Sequence, residues 1–224
     1  MPPTTQSTAL PQTDAGLLRL EGAASLQSVF EAANTPELLR WALGRSFVWQ
    51  RRNDTEVLQA SLSVDQGPMW AAALLAWNAQ VAFDSGETAP LDAYLKREIK
   101  PKGRPEAILI RPESENLRWG KGEVSRLPTD TPIVGAVAVV ETDGGVVKEA
   151  RVAMTGVWKR TVGMAQAPAQ LAGKPLDAEA IEAVAQAIAA ETSPRSNYLG
   201  SEEYRRAMAI VTSRDALTQC MEEK

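Results

Sequence analysis

Between Thr55 and Trp70 the chain reads TEVLQASLSVDQGPMW, a polar stretch that is followed at once by the apolar run AAALLAW. A loop that holds a phosphate uses glycines, because backbone N–H groups must approach the ligand closely. Here Val57 and Leu58 stand where such a loop tolerates bulk least. The stretch is either a modified ligand loop or a connection between two packed elements, and its surroundings must decide.

The composition removes several kinds of chemistry. The 224 residues include no His and a single Cys, Cys220. Histidine acid–base catalysis, Ser-His-Asp and Cys-His nucleophiles, and zinc or iron–sulfur ligation by this chain alone are therefore excluded. Carboxylates, Lys and Tyr remain, but no spacing selects a pair, so neither a catalytic residue nor a metal ligand is predicted. The formal net charge of −4 gives no general attraction to nucleic acid.

The sequence shows no recognisable targeting signal, so the cytoplasm is the default expected compartment. The start, MPPTTQSTALPQTDAG, lacks the basic residues and apolar core of a secretory signal. No apolar run reaches the length of a membrane span. A basic string at Lys96, Arg97, Lys100, Lys102 and Arg104 is either a docking patch for an acidic partner or a solvated face.

The first half of the chain reads as a tail followed by helices and short strands. Pro, Thr, Gln and Ser dominate the start, so residues 1–24 are predicted to be a disordered or draped tail. Apolar spacing predicts a helix from Ser25, a second capped by Thr35, and a buried third over Met69–Trp77. The strings NAQVAF and AILIRPE read as strands.

The second half predicts a hairpin and two helices. IVGAVAVVE and VVKEARVAM flank Asp143-Gly144-Gly145, which favours a tight antiparallel turn. Asp177 and Ser201 are the expected N-caps of the helices. The inner face of the last helix is predicted to consist of Tyr204, Ala207, Met208, Val211 and Leu217. The fold class is therefore α+β.

The strings DGGVVKEARVAMTGV, AGKPLDAEAIEAVAQAIAAE and YLGSEEYRRAMAIVTSRDAL occur here in one order. Together they resemble the C-terminal domain of the flavoprotein (medium) subunit of molybdenum hydroxylases, the carbon monoxide dehydrogenase and xanthine dehydrogenase group. The stretch RRNDTEVLQASLSVDQGPMWAAALLAWNAQVAF is similar to the second flavin subdomain of the same family. The resemblance covers roughly residues 25–220.

The resemblance implies a domain order. Residues 25–118 correspond to a remnant of the second, PCMH-type FAD-binding subdomain. Residues 119–224 correspond to the CO dehydrogenase flavoprotein C-terminal domain, a three-stranded antiparallel sheet packed with helices. The family's first flavin subdomain, with a Gly-Gly-Thr loop, would precede residue 25, where only the short tail is expected.

The resemblance also implies candidate cofactor residues. The family reads Thr-Ile-Gly-Gly-Asn against FAD, and Thr55 matches its threonine while Gln59 stands in place of its asparagine. Val57 and Leu58 replace the two glycines. Arg126 and Asp130 fall where the family has an arginine and an acidic residue near its flavin domain. Since aliphatic branches occupy the space of the phosphate, we expect FAD to be bound weakly or not at all, by Thr55, Gln59, Arg126 and Asp130 if by any residues.

Three functions remain open. The first is a flavoprotein-type subunit that passes electrons from molybdenum and [2Fe–2S] centres through FAD to an acceptor. It would pack against an iron–sulfur subunit and a large molybdopterin-binding subunit, and it would bind none of the metal centres itself. The second is a flavin-free structural subunit of such a hetero-oligomer. The third is a separate binding or maturation factor for the same partners.

Overall fold

The computed structural model describes residues 10–13 and 15–221. It contains two four-stranded antiparallel sheets and helices in an α+β arrangement, which confirms the predicted fold class. The elements are β1 (Leu18–Glu21), α1 (Leu26–Glu31), α2 (Glu37–Ser46), α3 (Trp49–Asp54), α4 (Val57–Leu62), α5 (Pro68–Ala76), β2 (Gln80–Phe83), β3 (Thr88–Pro90), α6 (Leu91–Leu95), β4 (Pro105–Ile110), β5 (Leu117–Val124), β6 (Val134–Asp143), β7 (Val146–Thr155), β8 (Val162–Met164), a 3₁₀ helix (Ala167–Leu171), α7 (Ala178–Glu191) and α8 (Glu202–Met221).

The first sheet has the strand order β1-β4-β2-β3. Its edge strand β1 lies within residues 1–24, so the prediction of a disordered or draped tail is wrong for this segment. β1 pairs antiparallel with β4, and Leu18 and Leu20 are buried in the core. Upstream, Asn34 exchanges two hydrogen bonds with the backbone of Leu10, at 2.6 and 3.1 Å. Composition favoured a tail, whereas buried leucines and pairing with a distant strand hold this segment in place. Residues 1–9 and 14 of the predicted tail lie outside the described residues.

The second sheet has the order β5-β6-β7-β8 and contains the predicted hairpin. Its turn consists of Gly144 and Gly145, whose φ values of 58° and 82° lie in the left-handed region that glycine adopts without strain. Strand β6 is buried on both faces for most of its length, which explains its continuous apolar sequence. The short strand β8 adds a fourth strand to the three expected.

Helix α5 lies between the two halves of the chain. Residues 69–76 are all buried, which confirms the prediction made from their sequence, rich in Ala and Leu. The same apolar cluster contains residues of α5, of the first sheet and of one face of the second sheet, such as Val137 and Ala153. The opposite face of the second sheet packs against α7 and α8 in a separate cluster. The second sheet is thus covered on both sides.

The predicted inner face of α8 is wrong in part. Leu217 is buried as predicted, whereas Tyr204 and Ala207 are exposed and most of the buried face consists of small or polar side chains. The buried residues are Arg205, Ala209, Thr212, Ser213, Ala216, Leu217 and Cys220. The buried hydroxyls are satisfied within the helix, since Thr212 Oγ1 donates to the carbonyl of Met208 at 2.8 Å and Ser213 Oγ to that of Ala209 at 2.6 Å. Small side chains let α8 approach the sheet closely.

Two of the predicted N-caps hold and one does not. The Asp177 carboxylate accepts from the Ala180 N–H at 2.8 Å, and Ser201 Oγ accepts from the Tyr204 N–H at 3.1 Å. Thr35 does not cap α2, because Pro36 occupies that position. Its hydroxyl instead donates to the Val29 carbonyl at 2.6 Å, which closes the end of α1.

Close packing of α8 on β5 generates a stability prediction. A Cβ at Gly122 would lie 2.2 Å from the backbone oxygen of Thr212, so Gly122→Ala must push the helix away. We expect the free energy of unfolding to fall by about 1–3 kcal/mol, the usual range for overpacking, in urea denaturation. Gly44→Ala is the matched control, because Gly44 is exposed on α2 and the atom nearest to its Cβ would be 3.6 Å away. A loss of stability equal to that of the control would contradict this packing.

A charged cluster connects the two sheets and generates a pH prediction. The Glu141 carboxylate accepts from Lys148 Nζ at 2.5 Å and from Arg111 Nη1 at 2.7 Å. The hydrogen bond from Lys148 is the main cause that lowers the pKa of Glu141 below its ordinary value of 4.5, and the bond from Arg111 acts in the same direction. Arg111 follows β4 whereas Glu141 lies on β6, so the pair joins the first sheet to the second.

A carboxylate with a lowered pKa stabilises the fold above its unfolded-state pKa, and this contribution is lost as the pH falls through the folded-state value. Glu141→Gln should therefore lower the free energy of unfolding at pH 7 by about 1 kcal/mol or less. The difference from the wild type should shrink as the pH falls below 4.5 and through the lower folded-state pKa of Glu141, as measured by urea denaturation across pH. Exposed Glu115→Gln is the control. A difference independent of pH would exclude this role for the carboxylate.

Candidate functional site

The stretch predicted as a flavin loop is largely helical, which corrects the loop interpretation. Val57–Leu62 form α4, so Val57, Leu58 and Gln59 make its first turn. Val57 is fully buried, while Gln59 is exposed. Thr55 is 5% exposed and ends α3. The two predicted contacts thus differ in access, since the Gln59 side chain faces solvent and the Thr55 side chain is buried.

Backbone donors at the start of α4 are already occupied. The Val57 N–H donates to the carbonyl of Ala24 at 2.9 Å, and the Leu58 N–H donates to that of Gly22 at 3.1 Å. In return, the Leu26 N–H donates to the Thr55 carbonyl at 3.0 Å. The segment between β1 and α1 therefore lies against the first turn of α4 as a strand-like partner. The N–H groups that a phosphate would use are bonded to the protein itself.

The Leu58 side chain fills the remaining space beside this segment. A Cβ at Gly22 would lie 2.2 Å from Leu58 Cδ1 and 2.4 Å from the backbone oxygen of Glu106. Leu58 is half-buried and packs against the main apolar cluster. The residues present at this position therefore do not form the open glycine cradle that a dinucleotide phosphate fits.

The other two candidate residues lie in the linker between β5 and β6. Arg126 is exposed and Asp130 is half-exposed, and no ion pair joins them within the described residues. Arg45 of α2 holds this linker: its Nε lies 2.8 Å from Glu123 Oε2, and its Nη2 donates to Ser125 Oγ at 3.1 Å and to the Asp130 carbonyl at 2.5 Å. Sequence reasoning missed Arg45, since only the fold brings α2 to the linker.

Next to this linker, Lys121 lies over an aromatic ring. Its Nζ is 4.4 Å from the ring centroid of Trp41, a cation–π contact. Burial lowers the pKa of Lys121, with the nearby Glu123 acting in the opposite direction. Of the tryptophans, Trp70 is fully buried and donates to Ser61 Oγ at 3.2 Å, so it is a core residue.

A larger cleft lies elsewhere. It has a volume of about 700 Å³ and is bordered by the segment over residues 158–164, which includes β8, by the end of α4 and by helix α6. Asp65, just after α4, accepts a hydrogen bond from the Thr161 hydroxyl at its edge, and Lys96 pairs with Asp92 at 2.7 Å. None of Thr55, Gln59, Arg126 and Asp130 borders it. Their assignment to a cofactor stays a prediction.

The described residues contain neither a metal-binding cluster nor a membrane-spanning helix. Within residues 10–13 and 15–221, no three His, Cys, Asp or Glu side chains are grouped so that they could hold a metal ion. Among the helices of the described chain, none combines the length and apolar character that crossing a membrane requires.

Comparison with known proteins agrees with this architecture. Residues 123–220 match the family described as the CO dehydrogenase flavoprotein C-terminal domain. The uncharacterized protein YgfM of Escherichia coli K12 is 28% identical over 213 residues, which span 93% of this chain and 75% of YgfM. Residues 123–220 are thus similar to the CO dehydrogenase flavoprotein C-terminal domain, and the likeness to YgfM extends along most of the chain.

Solved structures share the fold over nearly the whole chain. Reconstituted CO dehydrogenase from Oligotropha carboxidovorans matches with a TM-score of 0.80 and 20% identity, covering 97% of this chain and 79% of that one. CO dehydrogenase from Hydrogenophaga pseudoflava that lacks the Mo-pyranopterin moiety gives 0.81 and 21%, covering 96% and 78%. Quinoline 2-oxidoreductase from Pseudomonas putida 86 gives 0.76 and 18%, covering 95% and 77%. The predicted resemblance is confirmed at the level of the fold.

The contact of Leu58 with the segment before α1 can be tested by mutation. Gly22→Ala should lower the free energy of unfolding by about 1–3 kcal/mol, because its Cβ meets both Leu58 and the Glu106 carbonyl. Since Leu58 Cδ1 can be removed but the Glu106 oxygen cannot, the penalty of Gly22→Ala should shrink in a Leu58→Ala background without disappearing. A double-mutant cycle in urea measures this coupling. Strictly additive effects would exclude the contact.

Proposed function

We propose that the chain is a medium, flavoprotein-type subunit of a hetero-oligomeric molybdenum hydroxylase. It would pack with an iron–sulfur subunit and a large molybdopterin-binding subunit in the cytoplasm. The C-terminal domain family and the fold shared with two CO dehydrogenases and a quinoline oxidoreductase support this assignment. The absence of histidine also agrees with a subunit that leaves metal centres and substrate chemistry to its partners.

We further propose that this chain does not hold FAD through the family's usual loop. The observation that carries this proposal is the commitment of the Val57 and Leu58 N–H groups to the carbonyls of Ala24 and Gly22. A diphosphate bound at a helix start needs free N–H donors and room for its oxygens. Freeing them would require the segment before α1 to leave α4. An electron-transfer role through FAD would need this rearrangement or a different mode of binding.

Packing around α4 opposes such a rearrangement. Val57 and Ala60 are fully buried in the main cluster, and Leu26, which donates to the Thr55 carbonyl, is fully buried as well. Exposing a side chain of the size of Val57 or Leu26 costs about 1.5–3 kcal/mol. The local structure therefore favours the flavin-free alternative, a subunit whose packed fold completes an assembly.

Exposed apolar side chains offer a surface for that assembly. Val48 and Trp49 are 65% and 60% exposed, and Leu127 is 60% exposed. Val48 borders a cleft of about 310 Å³ together with Pro128, which directly follows Leu127. Aromatic side chains such as Trp49 are enriched at protein interfaces.

The proposal is tested on the chain purified with its natural partners. Native mass spectrometry should detect it in a complex with iron–sulfur and molybdopterin subunits. Flavin released by denaturation and quantified per chain should be far below one FAD per copy of this chain. One FAD per chain, retained when the chain is isolated, would exclude the flavin-free role, and a chain found only as a free monomer would exclude the subunit assignment.

A further inference from the structure

Another cleft, of about 300 Å³, is lined by a concentration of positive charge. It lies between the residues before β6, the loop after β7 and the segment before α8. Its lining contains four cationic side chains and, among the described residues, no carboxylate. These cations are Lys159, Arg160, Arg195 and Arg205. The protein as a whole has a net charge of −4, so this concentration of positive charge is not a property of the general surface.

Arg205 is the buried member of this group. It is 5% exposed, and its guanidinium donates to the carbonyls of Ile133 at 2.7 Å and Gly156 at 2.9 Å and to Asn197 Oδ1 at 2.8 Å. All three acceptors are neutral. Within the described part of the chain Arg205 forms no ion pair, and its Nε has no hydrogen-bond partner. A buried charge without a counter-ion is costly, because neutral dipoles compensate it only in part.

The backbone is shaped to hold this guanidinium. Gly156 has φ +76°, and a Cβ there would lie 2.0 Å from the Ile133 oxygen and 3.0 Å from Arg205 Nη1. The turn after β7 thus requires glycine so that both carbonyls can approach the same guanidinium. Arg205 lies in the first turn of α8, the helix that packs on the second sheet. The cation is therefore held on rigid elements and does not hang from a mobile loop.

Around this fixed cation the other three are free to adjust. Lys159, Arg160 and Arg195 are exposed and lie on the two segments that border the cleft. At the side of the cleft, the Asp65 carboxylate accepts a hydrogen bond from the hydroxyl of Thr161, a lining residue. Asp65 itself does not line the cleft. Glu202 and Glu203 precede Arg205 on α8 and are exposed. The lining remains strongly positive, so the complement to the cleft is an anion.

We propose that this cleft binds a small phosphate-bearing ligand with at least two negative charges. Guanidinium groups match phosphate oxygens through paired N–H donors, and several cations around one space suit a multiply charged group better than a single carboxylate. The volume accommodates a diphosphate-sized group, at the lower end of ligand pockets. Thr55, Gln59, Arg126 and Asp130 do not border the cleft, so it is separate from the predicted flavin residues.

Calorimetric titration of the full chain with inorganic pyrophosphate tests the site. The wild type should bind one pyrophosphate per chain, more weakly as salt increases. Lys159→Ala/Arg195→Ala should weaken binding at least tenfold, because each substitution removes a charged hydrogen-bond donor to the phosphate oxygens. Pyrophosphate should also raise the melting temperature of the wild type but not that of the double variant.

The matched control removes the same charge elsewhere. Lys100 and Lys102 are exposed and do not border the cleft, so Lys100→Ala/Lys102→Ala should bind as the wild type does. Equal weakening in both double variants, or no saturable binding by the wild type, would overturn the proposal. Malonate binding as tightly as pyrophosphate would overturn the assignment to phosphate. Loss of binding in Arg126→Ala would place the anion at the predicted flavin residues and overturn the assignment to this cleft.

Discussion

Close approach of backbones around helix α5 is the constraint on which the rest of the structure depends. The helix is buried along its length between the first sheet and one face of the second. Alanine at positions 71, 72, 73 and 76 keeps it thin enough for both neighbours. On β6, a Cβ at Gly135 would lie 2.5 Å from Met69 Sδ. Since interiors are packed nearly as densely as crystals, a larger side chain in this layer would separate the two sheets.

Packing of this kind also explains how the fold can be shared at low sequence identity. The relatives with known structures are 18–21% identical, yet the elements superpose with TM-scores of 0.76–0.81. What such distant chains must keep is apolar volume in the right places. Val57 and Leu58 serve that requirement here, because one is fully buried and the other covers the segment before α1.

Local patterns in the sequence predicted the elements that depend on local interactions. The β6–β7 hairpin follows from its glycine turn, and α7 follows from Asp177 and an apolar stripe. Strand β1 was missed because it is stabilised by pairing with β4, nearly 90 residues away. The face of α8 was missed because hydrophobicity alone does not register that hydroxyls can bond within a helix or that an arginine can be buried against carbonyls. Arg45 was missed for the same reason as β1, because its partners Glu123, Ser125 and Asp130 are distant in sequence.

Arg205 illustrates how a fold can keep a charged residue in its interior. Its three neutral acceptors come from the start of β6, the turn after β7 and the segment before α8, so the guanidinium joins three pieces of chain that no apolar side chain could join through hydrogen bonds. Removing the arginine would leave those oxygens without their donor, whereas keeping it leaves positive charge partly uncompensated. These opposing costs are balanced only if the charge has some access to an anion or to solvent. The cleft beside Arg205 provides that access, so the residue that fixes the geometry of α8 also determines what the cleft attracts.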